Sequence, residues 1–538
     1  MAKRKIKLAT PNRVAIPHAI NPQNRRSANY KPLLFTTTMR NPERLKDFLS
    51  ILFQYDGEVL TNNIIDSVVL ELIKKGYYKP MKSSSTVKNL WKNDIELSDE
   101  MALEVFRNNP QRHKEYGFED GWPSRFDTWY KLAKELGFVY YWMGEIIRFS
   151  ESGKLLLDKE KPENEVFVFA NAFSKYQRNN PFRKILNDNV PLILLIKVIE
   201  LLNLDEDYNS TGISRAELPL LLCWRDSDAQ ALYELIKELR TTYGYNISDE
   251  VILENCSVSL ENNGKVTKMD NNSILVDYPD DFIRKMRLTS LFTLRGGGRF
   301  IDINKNELAT VEYIKSHYST YPLFVNEIDF FEYIGNVDIE LINKLTIYQK
   351  PNRSSNNDLS KWVNYYGWDS IKSEMINLAE KKSSHDDILK VISAPLRLEF
   401  LTSLALLSKL PNLTVNPNFV TDDEGLPTCF ASGGIADIEC EENSNVILVE
   451  VTLLTGTQQH IRESYSVQRH LEDQINKGKS AFSLFISPKT FIDTCRNSAY
   501  IKYQYNLDVR ILDIHLFVDQ LENHNNLFEV ATTRTSCA

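Results

Sequence analysis

Apolar positions recur every three or four residues through most of the first 300 residues, the signature of amphipathic helices. Asn41 and Pro42 predict a helix start, with Asn41 as cap and Pro42 at the first helical position; Leu45, Phe48, Leu49, Leu52 and Phe53 give its apolar face. A second helix is predicted over 62–75, where Ile64, Ile65, Val68, Val69, Leu72 and Ile73 follow the same spacing. RFDTWYKLAKEL at 125–136 reads as a third helix, closed by Gly137. Two short apolar strands, 138–142 and 146–149, then flank Met143-Gly144-Glu145, and Ser150 caps a helix beginning GKLLLD. Helix, two-stranded wing and helix are the parts of a winged helix-turn-helix. The same order recurs at 191–243 and at 281–303, where FIRKMRLTS precedes a hairpin tipped by Gly296-Gly297-Gly298 between Arg295 and Arg299. Glycine lets backbone approach a groove or phosphate closely. Such units also serve as protein–protein modules, so on their own they leave the partner open.

Residues 305–390 read as polar helices, with PNRSSNNDLS at 351–360 as a flexible joint. From about 388 the pattern changes to mixed α/β. A helix spans 387–410, which Pro395 should interrupt or kink. β-prone runs follow at 419–421, 435–440 and 445–454, then a helix over 457–477 and strands at 481–487 and 508–514.

Two acids in this segment stand where a charge is costly. Asp437 lies in IADIEC and Glu450 in VILVEVTLL, one of the most apolar runs of the chain. Alternation puts Leu448, Glu450 and Thr452 on one strand face. Converging carboxylates are compensated by a divalent cation with oxygen ligands, so Asp437 and Glu450 are candidate Mg2+ ligands at a sheet end. The alternative is a pair of solvated strand-end acids. Glu399 on the preceding helix and Glu463 on the following one can join them. Gln459, Glu463 and His470 share a helix face, and Arg469-His470 could orient phosphate or move a proton.

Charge and composition narrow the class. The 538 residues are 42% hydrophobic and 25% charged, ordinary for a globular protein of several domains. No run is long and apolar enough to predict a membrane span, and the N-terminus lacks the apolar core of a secretory signal. Six cysteines without CxxC spacing predict reduced, buried thiols, and the eight histidines show no zinc-ligand pair. The net charge of −8 is no nucleic-acid footprint, yet residues 1–46 carry eleven Lys and Arg, among them Arg25 and Arg26, against the single acid Glu43. Such an arm can neutralise phosphates, or can be a solvated tail.

Several segments resemble the AlwI family of type IIS restriction endonucleases, within the PD-(D/E)xK nuclease superfamily. They are FTTTMRNPERLKDFL at 35–49, GEIIRFSESGKLLLD at 144–158, FANAFSKYQRNNPF at 169–182, LTSLFTLRGGGRFIDINKNE at 288–307, and the block ASGGIADIECEENSNVILVEVTLLTGTQQHIRESYSVQRHL at 431–471. The resemblance implies a multidomain chain with a mainly α N-terminal region of winged helix-turn-helix modules, a helical linker and a C-terminal α/β nuclease core with a mixed sheet. The expected division is a basic arm at 1–30, recognition domains at 31–190 and 191–304, a linker at 305–386 and a cleavage domain at 387–538.

It also implies the chemistry. The family's catalytic Asp and Glu fall on Asp437 and Glu450, its helical acids on Glu463 and Glu399. Thr452 stands where the general nuclease motif has Lys, so Glu463, Gln458 or Gln459 would position the water. The expected activity is binding of a short asymmetric double-stranded DNA sequence and hydrolysis of a phosphodiester a few base pairs outside it by Mg2+-activated water. His470 is a further candidate at the catalytic site; Arg295, Arg299, Gln177, Arg178, Arg25 and Arg26 are the candidate DNA contacts. One metal centre cuts one strand, so double-strand cleavage needs a transient homodimer or a separate small subunit. A cognate DNA methyltransferase in a restriction-modification system and a prokaryotic cytoplasmic location follow from the family. The competing reading is a winged-helix DNA-binding regulator with a catalytically degenerate nuclease domain; action on RNA is weaker, since no aromatic RNA-binding strand signature is present.

Overall fold

A computed structural model of the chain describes residues 38–39, 41–158, 161–182, 188–208, 211–261, 270–431, 433–443 and 445–537. Arg25 and Arg26 lie outside them.

The N-terminal half is mainly helical. The first helix is Pro42–Leu52 and the second Asn62–Lys74, capped by the Thr61 hydroxyl. Trp122–Glu135 leads into an antiparallel pair, β1 (Val139–Tyr140) and β2 (Arg148–Phe149), and Ser150 caps the helix Glu151–Leu156. Helix Pro191–Leu204, apolar on nearly all sides, is buried. Beyond it lies β3 (Ile213–Ser214). The helix Tyr278–Leu288 is followed by the hairpin β4 (Phe292–Arg295) and β5 (Phe300–Ile303), and β3 pairs with β5. All three tip glycines take positive φ, between 59° and 86°, which L-residues rarely adopt.

That tip leans on the rest of the chain at Gly298, which is buried, while Gly296 and Gly297 remain exposed. A Cβ on Gly297 would stand 2.7 Å from the Tyr365 hydroxyl, and one on Gly298 3.0 Å from Ile388. The run expected to be a loose joint is ordered into a helix start. Ser355 and Asp358 form a reciprocal capping box for the helix Asn356–Ala379, and Arg353 bridges to Val420. Pro395 does not kink its helix either. The helix begins at Ala394, so proline occupies the first turn, where its missing N–H costs nothing.

The C-terminal part is a five-stranded sheet in the order β12-β11-β10-β9-β6: β6 (Thr414–Pro417), β9 (Ile438–Glu442), β10 (Asn445–Val451), β11 (Ala481–Ser487) and β12 (Val509–Asp513). Between β6 and β9 in sequence lies the small hairpin β7 (Val420–Thr421) and β8 (Pro427–Cys429). β6, β9 and β10 are antiparallel; β10, β11 and β12 are parallel, joined by the helices Gly456–Asn476 and Ile492–Tyr505. Alternation splits β10 between two cores. Ile447 and Val449 join the large one, which includes Leu398 and Leu401 of the helix Ala394–Lys409. Val446 and Leu448 pack with Val467 and Leu471 of the helix Gly456–Asn476.

Buried charge ties the two parts together. Arg287 pairs with Asp422, which also accepts from the Thr293 hydroxyl at 2.9 Å. The cysteines depart from expectation: Cys223, Cys256, Cys429 and Cys440 are buried thiols, but Cys495 and Cys537 form a disulfide across 42 residues of sequence. Such a pairing depends on the C-terminus returning to the helix Ile492–Tyr505, which spacing does not reveal. No helix among the described residues is long and apolar enough to cross a membrane.

Candidate active site

The antiparallel register of β9 and β10 builds the site. Val449 lies opposite Ile438, so Glu450 comes beside Asp437, the residue just before β9. Asp437 is fastened there, its Oδ2 accepting from the Val451 amide at 2.8 Å. Glu450 faces the helix Gly456–Asn476, where its Oε1 lies 2.8 Å from His470 Nδ1. Two turns nearer the start of that helix, Glu463 Oε1 accepts from the Thr452 hydroxyl at 3.0 Å. Glu399 comes from the helix Ala394–Lys409. It is 4% exposed, and its Oε2 has no hydrogen-bond partner.

Six of the residues expected to carry the chemistry, Glu399, Asp437, Glu450, Thr452, Glu463 and His470, thus line one cavity of about 370 Å3, with Pro395, Phe430, Leu453 and Phe485 among its apolar walls. No Lys or Arg forms an ion pair with any of its four acids among the described residues. The electrostatics follow. Burial, then Asp437, Glu450 and Glu463, push the Glu399 carboxyl well above the usual range. Burial and then Glu450 do the same to Asp437, against the pull of the Val451 amide. Glu450 is pushed up to about 8, chiefly by burial, and Glu463 is raised for the same reason. Burial, then the neighbouring Arg469, lowers His470, which favours a neutral imidazole against Glu450. Four carboxyls whose pKa values burial raises, with no Lys or Arg ion pair among the described residues, form a site short of positive charge.

Among the described residues no three His, Cys, Asp or Glu side chains form a ready-made metal cage. Mg2+ does not require one: it is commonly held by one or two carboxylates with water and substrate phosphate completing the shell. The donor set here is oxygen-rich and under-compensated, and Glu399 Oε2 and His470 Nε2 are buried without partners. The residues fit a hard divalent cation.

Gln459 turns away from this chemistry. Its amide donates to the Leu454 and Lys489 carbonyls and accepts from Phe491 and Thr494, so all its capacity holds the helix start. Gln458 accepts from Arg462. Sequence reasoning missed Glu439, whose charge acts on Glu450 and which holds Gln474 at 3.2 Å. The signal was the same alternation: 437 and 439 point to one side of the strand.

The candidate DNA contacts are dispersed. Arg295 is enclosed by Asp302, Asp423 and Glu424, and despite burial Asp423 and Asp302 hold its guanidinium above its ordinary range. Arg299 is exposed and donates to Tyr245 O at 3.0 Å and Asn246 Oδ1 at 3.1 Å. Gln177 and Arg178 are buried, donating to the carbonyls of Pro322 and of Leu222 and Trp224, so they brace neighbouring segments.

A sheet of antiparallel and parallel halves presenting buried acids where two strands meet defines an α/β domain with an acidic candidate cation site. Comparison with known proteins narrows this. The family described as AlwI restriction endonuclease matches residues 134–334 and 335–515, and the chain belongs to that family. It is therefore a restriction endonuclease by family, a hydrolase acting on DNA. Among solved structures, the small subunit R.BspD6I2 of the heterodimeric restriction endonuclease R.BspD6I is similar at 28% identity, covering 28% of this chain and 77% of that one with a TM-score of 0.24. Restriction endonuclease FokI is similar at 12% identity, covering 93% and 98%, TM-score 0.25. FokI bound to DNA gives 13%, 92% and 96%, TM-score 0.24. No curated protein matches. None of these superpositions reaches a TM-score of 0.5, and the assignment rests on the family match.

Proposed function

We propose that the chain is a Mg2+-dependent endonuclease of the type IIS kind. It binds a short asymmetric duplex sequence with its N-terminal half, through winged-helix modules in 31–190 and 191–304. It hydrolyses a phosphodiester a few base pairs outside that sequence with the domain at 387–538, the helices of 305–386 linking the two. The observation that carries this reading is the convergence of Glu399, Asp437, Glu450 and Glu463 on one cavity without a Lys or Arg ion pair among the described residues. A site with no ligand gains nothing from such burial.

Asp437 and Glu450 would hold the cation, and Mg2+ when bound would activate the attacking water and offset charge on the phosphate. The chain's own residues do the rest. The Val451 amide orients Asp437, and His470 fixes the rotamer of Glu450. Thr452, in the position of the missing Lys, holds Glu463 toward the cavity, leaving Glu463 to orient a water. Glu399 supplies an unpaired acceptor from the opposite wall. One such centre cuts one strand, so double-strand cleavage calls for a second copy or a small subunit. A cognate methyltransferase would protect host DNA.

The test is a supercoiled-plasmid digest with Mg2+ followed by run-off sequencing of the ends. Fixed cuts at a constant offset from one short sequence are expected, lost in Asp437→Asn and Glu450→Gln while duplex binding persists. Sequence-selective binding with no cutting under any divalent metal would instead establish a DNA-binding regulator.

A further inference from the structure

A second cavity lies behind the wall of the first. It encloses about 470 Å3 and is lined by Arg284, Lys381, Lys382, Lys390, Ser393 and Arg397, among others. No Asp or Glu belongs to its described lining. Four segments supply these groups: the helix Tyr278–Leu288, the stretch after the helix Asn356–Ala379, the turn at 389–391, and the start of the helix Ala394–Lys409. In a chain of net charge −8, five cationic side chains around one hollow is a marked local reversal.

Some of this charge is answered from outside. Lys381 reaches Asp94 at 3.0 Å, Lys382 pairs with Glu380, and Lys390 pairs with Asp280 at 3.0 Å and Asp387 at 2.8 Å. Arg397 has no such carboxylate. It is 7% exposed, its Nη1 donates to the Leu389 carbonyl at 2.9 Å, and its Nε is buried with no partner. Burial lowers its pKa most, Glu374 and then Asp386 pull it back up, and the like charge of Arg284 lowers it further. With no ion pair to a carboxylate among the described residues, this buried guanidinium keeps one donor idle for an anion in the hollow. The helix beginning at Ala394 adds to this: no side chain caps it, so its first turn offers partial positive charge to the same hollow.

The two cavities share Leu453, and the first turns of one helix divide them, with Ala394 and Arg397 on the basic side and Pro395 and Glu399 on the acidic side. We infer that the basic cavity seats a backbone phosphate of the DNA strand being cut, near the phosphodiester that faces Glu399, Asp437, Glu450 and Glu463. This rests on the endonuclease reading of the acidic cavity. Arg397 is a positioning residue: it holds the strand and does not touch the reacting atoms. A cationic seat beside an acidic one also explains how a polyanion approaches four carboxylates, since the attraction is supplied next door.

The experiment uses the full chain and the duplex identified by the plasmid digest. Affinity is measured without Mg2+ over a range of salt, and nicking with Mg2+, for wild type, Arg397→Gln, Arg397→Lys and Lys382→Glu. Each lost phosphate contact should reduce the slope of log K against log salt by about 1 and weaken binding roughly tenfold at low salt. We expect this for Arg397→Gln and Lys382→Glu, with Arg397→Lys partly restored and KM affected more than kcat. Lys382 is exposed, so its reversal keeps the test open if Arg397→Gln fails to fold. A neutral methylphosphonate walked along the cut strand should weaken wild type at one position near the cut and leave Arg397→Gln unaffected there. Equal salt slopes in all variants, or equal methylphosphonate losses, overturn the seat while leaving the nuclease intact. Inorganic phosphate that raises the wild-type melting temperature without any change in DNA slope reassigns the cavity to free phosphate and overturns the DNA seat. A wild type that binds but never cuts overturns the reading of the acidic cavity instead.

Discussion

Asp422→Ala tests how the two halves are held together. Asp422 is fully buried in the turn between β7 and β8. It pairs with Arg287, accepts from the Thr293 hydroxyl at 2.9 Å, and receives the amides of Glu424 and Leu426 at 3.0 Å and 2.9 Å. Arg287, also buried, donates onward to the carbonyls of Phe292 at 3.0 Å and Pro427 at 2.8 Å. Removing the carboxylate leaves a buried guanidinium without countercharge, and breaking such a pair costs about 3–5 kcal/mol. Two amides and a hydroxyl lose their acceptor as well. Asp422→Asn keeps the shape and loses only the charge, so about 1.5–3 kcal/mol is expected from the charge-assisted bonds. The apolar double variant Arg287→Met/Asp422→Leu should recover most of the loss, because neither partner is then stranded. Urea unfolding followed by tryptophan fluorescence reads the effect, with the earliest transition compared across variants. An Asp422→Ala midpoint within about 1 kcal/mol of wild type, or a double variant weaker than both singles, would refute the reasoning.

Thr452→Val removes the hydroxyl that holds Glu463; losing one hydrogen bond of about 1 kcal/mol should slow nicking by no more than about tenfold, with the fold unchanged by circular dichroism. Glu307 is buried against Thr310 and Thr346 and pushed up to about 7, chiefly by burial. Its folded pKa exceeds the unfolded value near 4.5, so its stabilising contribution is complete below that value and is lost as pH rises through about 7, amounting to about 3 kcal/mol. Glu307→Gln should flatten thermal stability across that window, and an unchanged slope would remove Glu307 as the cause. Gly297→Ala places a methyl 2.7 Å from the Tyr365 hydroxyl at a φ of 68°, and a melting temperature equal to wild type would show that the tip is not packed as described.

What could be read from the chain alone follows from the range of each interaction. Alternation along β9 and β10 is local, so Asp437, Glu450 and Thr452 declare their shared face in the sequence itself. Helical spacing likewise brings Glu463 and His470 into line. Arg295 and Arg178 were misleading as surface candidates because their partners are remote: Asp423 lies 128 residues from Arg295, and Trp224 lies 46 residues from Arg178. A cation beside glycines looks the same in sequence whether it meets a phosphate or a distant carboxylate. The capping box at Ser355 was local and legible, yet the Ser/Asn-rich composition around it suggested a joint. The basic cavity could not be foreseen, because four separate segments build it.

The helix Ala394–Lys409 carries Arg397 and Glu399 two residues apart, which on a helix point about 200° away from each other. One rigid rod therefore acts as a gauge between the hollow that is poor in negative charge and the one that is rich in it. No loop adjustment alters that interval, and Pro395 at the rod's first turn pins where the count begins. On the proposed reading, in which a strand seated in one hollow is cut in the other, this rod is a spacer that cannot stretch.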